Sequence, residues 1–321
     1  MSANSNTLNL LWPKSSDFEV VAELIRDGLV ESRHWGMAAL VGPDGKVIEE
    51  LGKSKRLIFP RSAIKPLQAV ASRRVGLKLG GAQLAISAGS HQGTEAHAKL
   101  VTDILAGAGL REDDLQCPVA WPVNPESVLE AGTQQRVYFN CSGKHASFLA
   151  ASKVAGFSTE NYLSPEHPLQ KLIVEVLEEY SGEKVLFSTV DGCGAPLHTI
   201  TVEGLASAIG KFSAEDTDIA AAMLTNPWAV AGATSADTII MEAGFVAKLG
   251  AEGVFVIGTK SGYGVAVKIA DGSLRAAPLV ALGLMHKHGL IEPKLYDELF
   301  SKISQKVTGG HNVTGRLELS N

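Results

Sequence analysis

A serine three residues ahead of a lysine, Ser62 and Lys65 in Phe59-Pro-Arg-Ser-Ala-Ile-Lys-Pro-Leu-Gln-Ala69, is the first place where this sequence could do covalent chemistry. The stretch follows a β-like run at 56–59 and opens an Ala-rich apolar segment that reads as a helix. Residues i and i+3 share one helical face, so the hydroxyl and the amine can come within hydrogen-bond reach. Serine is a weak nucleophile until a base takes its proton. For lysine to be that base its pKa must fall from about 10.4 to about 7, roughly 4 kcal/mol of destabilised charge. Burial or a second cation supplies such a shift, so another lysine is expected to face the same cleft.

Two further constellations carry chemistry. Ala88-Gly-Ser-His-Gln-Gly93 is a loop whose glycines can bring backbone N–H groups and the Ser90 hydroxyl against a ligand, as an oxyanion hole or proton relay requires. His91 lies in it with no identifiable acidic partner. Asn140-Cys-Ser-Gly-Lys-His145 and Asp191-Gly-Cys-Gly-Ala-Pro196 each set a cysteine at a glycine-bearing turn. Two such turns can converge on one Zn²⁺, with a nitrogen ligand and a water completing a tetrahedron. Spacing alone favours His145 as that nitrogen, because Lys144 must first lose a proton. The plainer alternatives are a solvated lysine at a helix start, a Gly/Ser turn after a buried strand, and cysteines acting as small core residues.

The elements that must position these groups follow from pattern. With 321 residues, 45% of them hydrophobic, the protein can bury one large core shared by two lobes. A net charge of −5 leaves no footprint for nucleic acid, and no apolar run spans a bilayer. Three cysteines and an opening without a basic, then apolar, leader point to a cytoplasmic protein. Residues 1–17 read as a tail. Segments 36–42 and 47–51 read as a hairpin turning at Asp44-Gly45, and 253–258 with 264–270 as another. A short apolar run at 83–87 reads as a strand breaking into the Ser90 loop. Helices are expected at 95–107, from 146 to 154, from Pro168 to Tyr180, at 202–211, 215–224 and 233–246, and again at 274–288 and 293–304. Residues 185–190 read as a strand. The arrangement is α+β: a central antiparallel sheet from 18–75 and 250–321 flanked by helices, with 76–249 a mainly helical second lobe and the site in the cleft.

Taken together, Arg61-Ser-Ala-Ile-Lys-Pro66, Ser90-His91, Cys141-Ser-Gly-Lys-His145, Asp191-Gly-Cys193 and Val246-Ala-Lys-Leu-Gly250 resemble the rhizobial-type, class 3 L-asparaginases, a family of Ser-Lys amidohydrolases. The resemblance runs from about residue 19 to the C-terminus. It implies a fold like that of glutaminases and serine β-lactamases, a homodimer, and hydrolysis of L-asparagine. It implies Ser62 as nucleophile with Lys65, and Ser90 paired with Lys248 as a second tandem. Cys141, Lys144 and Cys193 would hold a zinc ion that tunes substrate binding, in place of the His145 that spacing favours. Arg61, His91, His145 and Asp191 would surround the substrate. The sequence departs from the family in a short segment before the last central strand, Lys260 to Tyr263, and in Gly194 after Asp-Gly-Cys. Both bear on asparagine against glutamine. Ser-x-x-Lys is also the spacing of penicillin-recognising enzymes, and a silent zinc-dependent amino-acid-binding protein is the reading outside enzymes.

Overall fold

A computed structural model describes residues 5–215 and 217–320. The strands, in sequence order, are β1 (Glu19–Arg26), β2 (Leu29–Val41), β3 (Val47–Leu51), β4 (Leu57–Ile58), β5 (Ser188–Val190), β6 (Pro196–His198), β7 (Ile200–Thr201), β8 (Val246–Gly250), β9 (Val254–Gly258), β10 (Gly264–Ile269), β11 (Val307–Gly309) and β12 (Asn312–Leu319). The main sheet runs β11-β12-β1-β2-β10-β9-β8, with β3 also on β2. Every pairing in it is antiparallel. The N-terminal and C-terminal parts of the sequence therefore build one sheet, as the hairpin pattern predicts.

The apolar β9 is buried along its whole length and β10 nearly so. Neither shows the in–out alternation of a sheet with one wet face. Helices Val202–Glu215 and Ala277–Lys287 both pack on β2, β9 and β10 and supply this cover. Gly264 is required at the contact with the first of them: a Cβ there would stand 1.9 Å from the Ala206 carbonyl oxygen. Helices Lys65–Arg74, Gly81–Ser87, Glu95–Gly107 and Pro168–Ser181 surround Ser142–Ala155, whose small residues are buried on nearly every side. Among the described residues, no helix is long and apolar enough to cross a membrane.

Four expectations need correction. Residues 83–87 form a helix, not a strand; five apolar-leaning residues fit either period, and Gly80-Gly81 starts a helix here. The expected helix 233–246 is shorter, Ala236–Glu242, because Gly244 takes a φ of +93° and the backbone then enters β8. With β8 in the main sheet, the helical lobe ends before 246 rather than at 249. Residues 1–4 lie outside the described part. The rest of the supposed tail is structured: helix Ser5–Leu11 leads to Trp12, which packs on Phe59 with ring centroids 5.1 Å apart. Asp17, 1% exposed, then binds Lys53 at 2.9 Å and Arg56 at 2.8 Å.

The β5–β6 hairpin buries His198, with Nδ1 2.7 Å from the Ser188 hydroxyl and Nε2 without a partner among the described residues. Burial pulls its pKa from 6.5 down to about 4. The imidazole stays neutral in the fold while the unfolded state takes up a proton below about 6.5, so stability present above that pH is lost as pH falls toward 4. The gap corresponds to about 3 kcal/mol. His198→Gln is expected to lose about 2 kcal/mol less unfolding free energy than the parent between pH 7 and 4.5, read by urea titration at both. Equal losses would contradict the assignment.

Candidate active site

Ser62 lies in a 3₁₀ turn, Arg61–Ile64, that runs straight into the helix Lys65–Arg74. Pro66 suits that helix's first turn, where no N–H partner is needed. In a 3₁₀ turn residues i and i+3 eclipse, which sets Ser62 and Lys65 on one side. Arg61 has a φ of +51°, a left-handed conformation costly for a residue with a Cβ. Its guanidinium is anchored by Nε and Nη2, each 2.9 Å from Asp191 Oδ1. The edge strand β8 passes close by. A Cβ on Gly250 would meet the Pro60 carbonyl oxygen at 2.5 Å, so glycine lets the strand touch the turn.

The Lys65 amine, 1% exposed, donates to the Gly89 carbonyl, to Ser90 Oγ at 2.9 Å and to Cys141 Sγ at 3.2 Å. Burial lowers its pKa to about 8, helped by the charges of Lys144 and Lys248 and opposed by Cys141. The second cation that chemistry asks for is thus present twice. Ser62 is half-buried, and its hydroxyl makes no hydrogen bond among the described residues.

The pairing differs from the expected tandems. Ser90 is held by Lys65, whereas the Lys248 amine lies 3.3 Å from Asp237 Oδ2 and 2.8 Å from the Leu249 carbonyl oxygen. The reason is burial. Lys248 is 0% exposed and Asp237 1%, and a cation so placed needs a countercharge. Asp237 Oδ2 also accepts the Leu249 N–H at 3.0 Å, tying helix Ala236–Glu242 to β8. Nothing in the sequence around Asp237 marks it. Asp237→Ala is expected to cost about 3–5 kcal/mol by leaving Lys248 buried and unpaired; chemical denaturation checks this, and a change below 1 kcal/mol would contradict it.

Cys141, Lys144 and Cys193 come together. Cys141 precedes helix Ser142–Ala155, Lys144 lies in that helix's first turn, and Cys193 lies in the turn after β5. Lys144 Nζ is 3.1 Å from Cys193 Sγ. A hydrogen bond from Cys193, against the cost of burial and with the charges of Lys65 and Lys144, holds the Cys141 thiol well below its usual pKa. Cys193, the donor, is pushed up. Desolvation works against the Lys144 charge, but the two sulfurs outweigh it and raise its pKa. Among the described residues no three His, Cys, Asp or Glu side chains gather where a metal could bind. A cation at this cluster would take the two soft sulfurs, which suit zinc, and would have to displace the proton that those sulfurs hold on Lys144.

The histidines occupy different positions from those that spacing favours. Tyr162 accepts the Gln116 N–H at 2.9 Å, so its own proton goes to His145 Nδ1 at 2.8 Å. Nε2 of His145 then carries a hydrogen, is buried, and has no partner among the described residues. Lys144, not His145, is the nitrogen beside the sulfurs. His91 is buried: Nδ1 accepts the Gly93 N–H at 3.1 Å, and Nε2 lies 2.9 Å from Ser142 Oγ, which donates to the Val137 carbonyl. Desolvation, with repulsion from His97 and Lys65, keeps it neutral. Both ring nitrogens are spent within the fold, which makes His91 a brace for the Ser90 loop.

An unbonded serine hydroxyl, a second serine held by a desolvated amine, and an arginine–carboxylate pair thus come together where the antiparallel sheet meets the helical layer. The protein belongs to the L-asparaginase II family, whose model matches residues 22–319. No curated protein matches it. Among solved structures it is similar to Mglu in its glutamate form, at 15% identity and a TM-score of 0.47, over 79% of its own length and 61% of that of Mglu. The tris and glutamate form of Mglu matches at 16% identity and a TM-score of 0.37, over 89% of this sequence and 65% of the other. The match thus spans about three fifths of the length of Mglu.

Proposed function

We propose that the protein hydrolyses L-asparagine to L-aspartate and ammonia through an acyl-enzyme on Ser62. The observation that carries this reading is the fully buried Lys65 amine, bonded to Ser90 and one 3₁₀ turn from an unbonded Ser62 hydroxyl. Lys65, when uncharged, takes the Ser62 proton as Oγ attacks the side-chain amide carbon. Ser90, bonded to Lys65, passes a proton toward the departing ammonia. Backbone N–H groups at the start of the Ser62 turn receive the oxyanion. Water then cleaves the ester, with the same groups acting in reverse. Lys248, fixed by Asp237, keeps positive charge beside the reacting centre.

Cys141, Lys144 and Cys193 would hold zinc, which when bound supplies a Lewis-acidic charge that orients substrate. Arg61 and Asp191 fit the α-carboxylate and α-ammonium of an amino acid. A cytoplasmic homodimer belongs to the same reading; all three cysteines are free and buried, which suits a reducing compartment.

The test is ammonia release from L-asparagine and from L-glutamine, before and after chelation. Turnover of asparagine is expected, with KM raised about tenfold by chelation and kcat changed less than threefold. Glutamine turnover alone, or nitrocefin cleavage, would replace this reading. Stabilisation by asparagine without ammonia would make the protein a binder.

A further inference from the structure

We propose that the cavity beside Arg61 receives the residue following asparagine in a peptide, so that the protein deamidates asparaginyl dipeptides whose second residue is apolar. This rests on the asparaginase reading and extends it to a substrate class. The cavity measures about 590 Å³, about four times the roughly 150 Å³ that accepts a benzene-sized ligand. Free asparagine, hardly larger than benzene, would leave most of it empty.

Arg61 and Asp191 line the cavity, and neither Ser62 nor Ser90 does. Because Arg61 adjoins Ser62 in sequence, a substrate with its side-chain amide at Ser62 would place its α-end at this cavity. Asp191 Oδ1 already accepts Arg61 Nε, Arg61 Nη2 and, at 2.8 Å, the Gly192 N–H. Oδ2 has no partner among the described residues and is free for the α-ammonium. Beyond this pair the walls turn apolar: Trp12, Phe18, Phe59 and Leu197. Lys268 and Glu252 also line the cavity on the Arg61 side, Arg61 Nη1 lying 3.8 Å from Glu252 Oε1 and the Lys268 amine donating to the Glu252 carbonyl; the two cations together suit a terminal carboxylate. Buried Asp17, bound to Lys53 and Arg56, pins the segment that carries Trp12 and Phe18 as a fixed wall. A zwitterionic head group with an apolar side chain matches that lining. In the reaction, water adds across the amide C–N bond of the asparagine side group, ammonia leaves, and the peptide bond stays intact, giving an aspartyl dipeptide.

The experiment compares ammonia release from asparagine, Asn-Gly and Asn-Phe by the parent, Thr189→Trp, which fills the cavity, and Trp12→Ala, which removes a wall. All three are first compared by Tm. The expected kcat/KM for Asn-Phe exceeds that for Asn-Gly at least tenfold. Thr189→Trp lowers the Asn-Phe value at least tenfold and Trp12→Ala about fivefold, each by more than it lowers the value for free asparagine. Should Thr189→Trp not fold, the selective loss in Trp12→Ala decides. Turnover of asparagine with none of Asn-Phe, or Asn-Phe turnover indifferent to the cavity variants, overturns this inference and leaves the asparaginase reading standing. No ammonia from any of the three overturns both.

Discussion

Ser62→Ala is expected to lower kcat for asparagine by about 10⁴- to 10⁶-fold, as removal of a nucleophile does, with Tm unchanged. The side chain is half-buried and makes no hydrogen bond among the described residues, so its loss leaves no buried group stranded. The arguments for it over Ser90 are local. Ser62 follows a residue held at a φ of +51°, and backbone strain of that kind persists where surrounding contacts fix it. The Arg61–Asp191 bond supplies those contacts. Ser90 is the serine that Lys65 touches, and its replacement by Ala is expected to slow turnover about 10²-fold, the scale of a lost proton relay. If Ser90→Ala were the dead variant and Ser62→Ala the slow one, the two roles would exchange. Initial rates of ammonia release on both variants distinguish them.

Lys65→Arg and Lys65→Met are expected to fail alike, each lowering kcat at least 10³-fold. Arginine keeps the charge but does not lose its proton near neutrality, so it cannot serve as a base. Methionine keeps much of the volume and removes the charge. If the lysine served only as a cation, the arginine variant would keep substantial activity, and that outcome would contradict the base role. Stability should separate the two. Methionine relieves the desolvation of a buried ammonium and is expected to hold or raise Tm, whereas the larger guanidinium crowds Gly89, Ser90 and Cys141 and lowers it.

Part of this site is legible in the sequence because local spacing fixes it. Ser62 and Lys65 are three residues apart at a helix start, and Cys141 and Lys144 are likewise one turn apart. The need for extra positive charge around a depressed lysine follows from elementary electrostatics, and Lys144 and Lys248 supply it. The hairpins at 36–51 and 253–270 are marked by apolar runs around a turn. What spacing does not carry is long-range pairing. Lys65 with Ser90 and Lys248 with Asp237 join residues from different elements, and the choice is made by which buried charge can reach which countercharge. Helix 81–87 and strand β8 are opaque for another reason. Each is short and Gly-flanked, and only packing against Ser142–Ala155 or against the Ser62 turn selects its form. Residues 1–17 read as a tail, yet Trp12 and Asp17 tie the end of that stretch down through Phe59 and Arg56.

The most direct measurement is acid quenching during turnover of asparagine, followed by peptide mapping by mass spectrometry. The account predicts an aspartyl group esterified to the peptide containing Ser62, accumulating further in a Ser90→Ala background where breakdown is slowed. An ester on Ser90, or steady turnover with no acylated serine at any quench time, would contradict it.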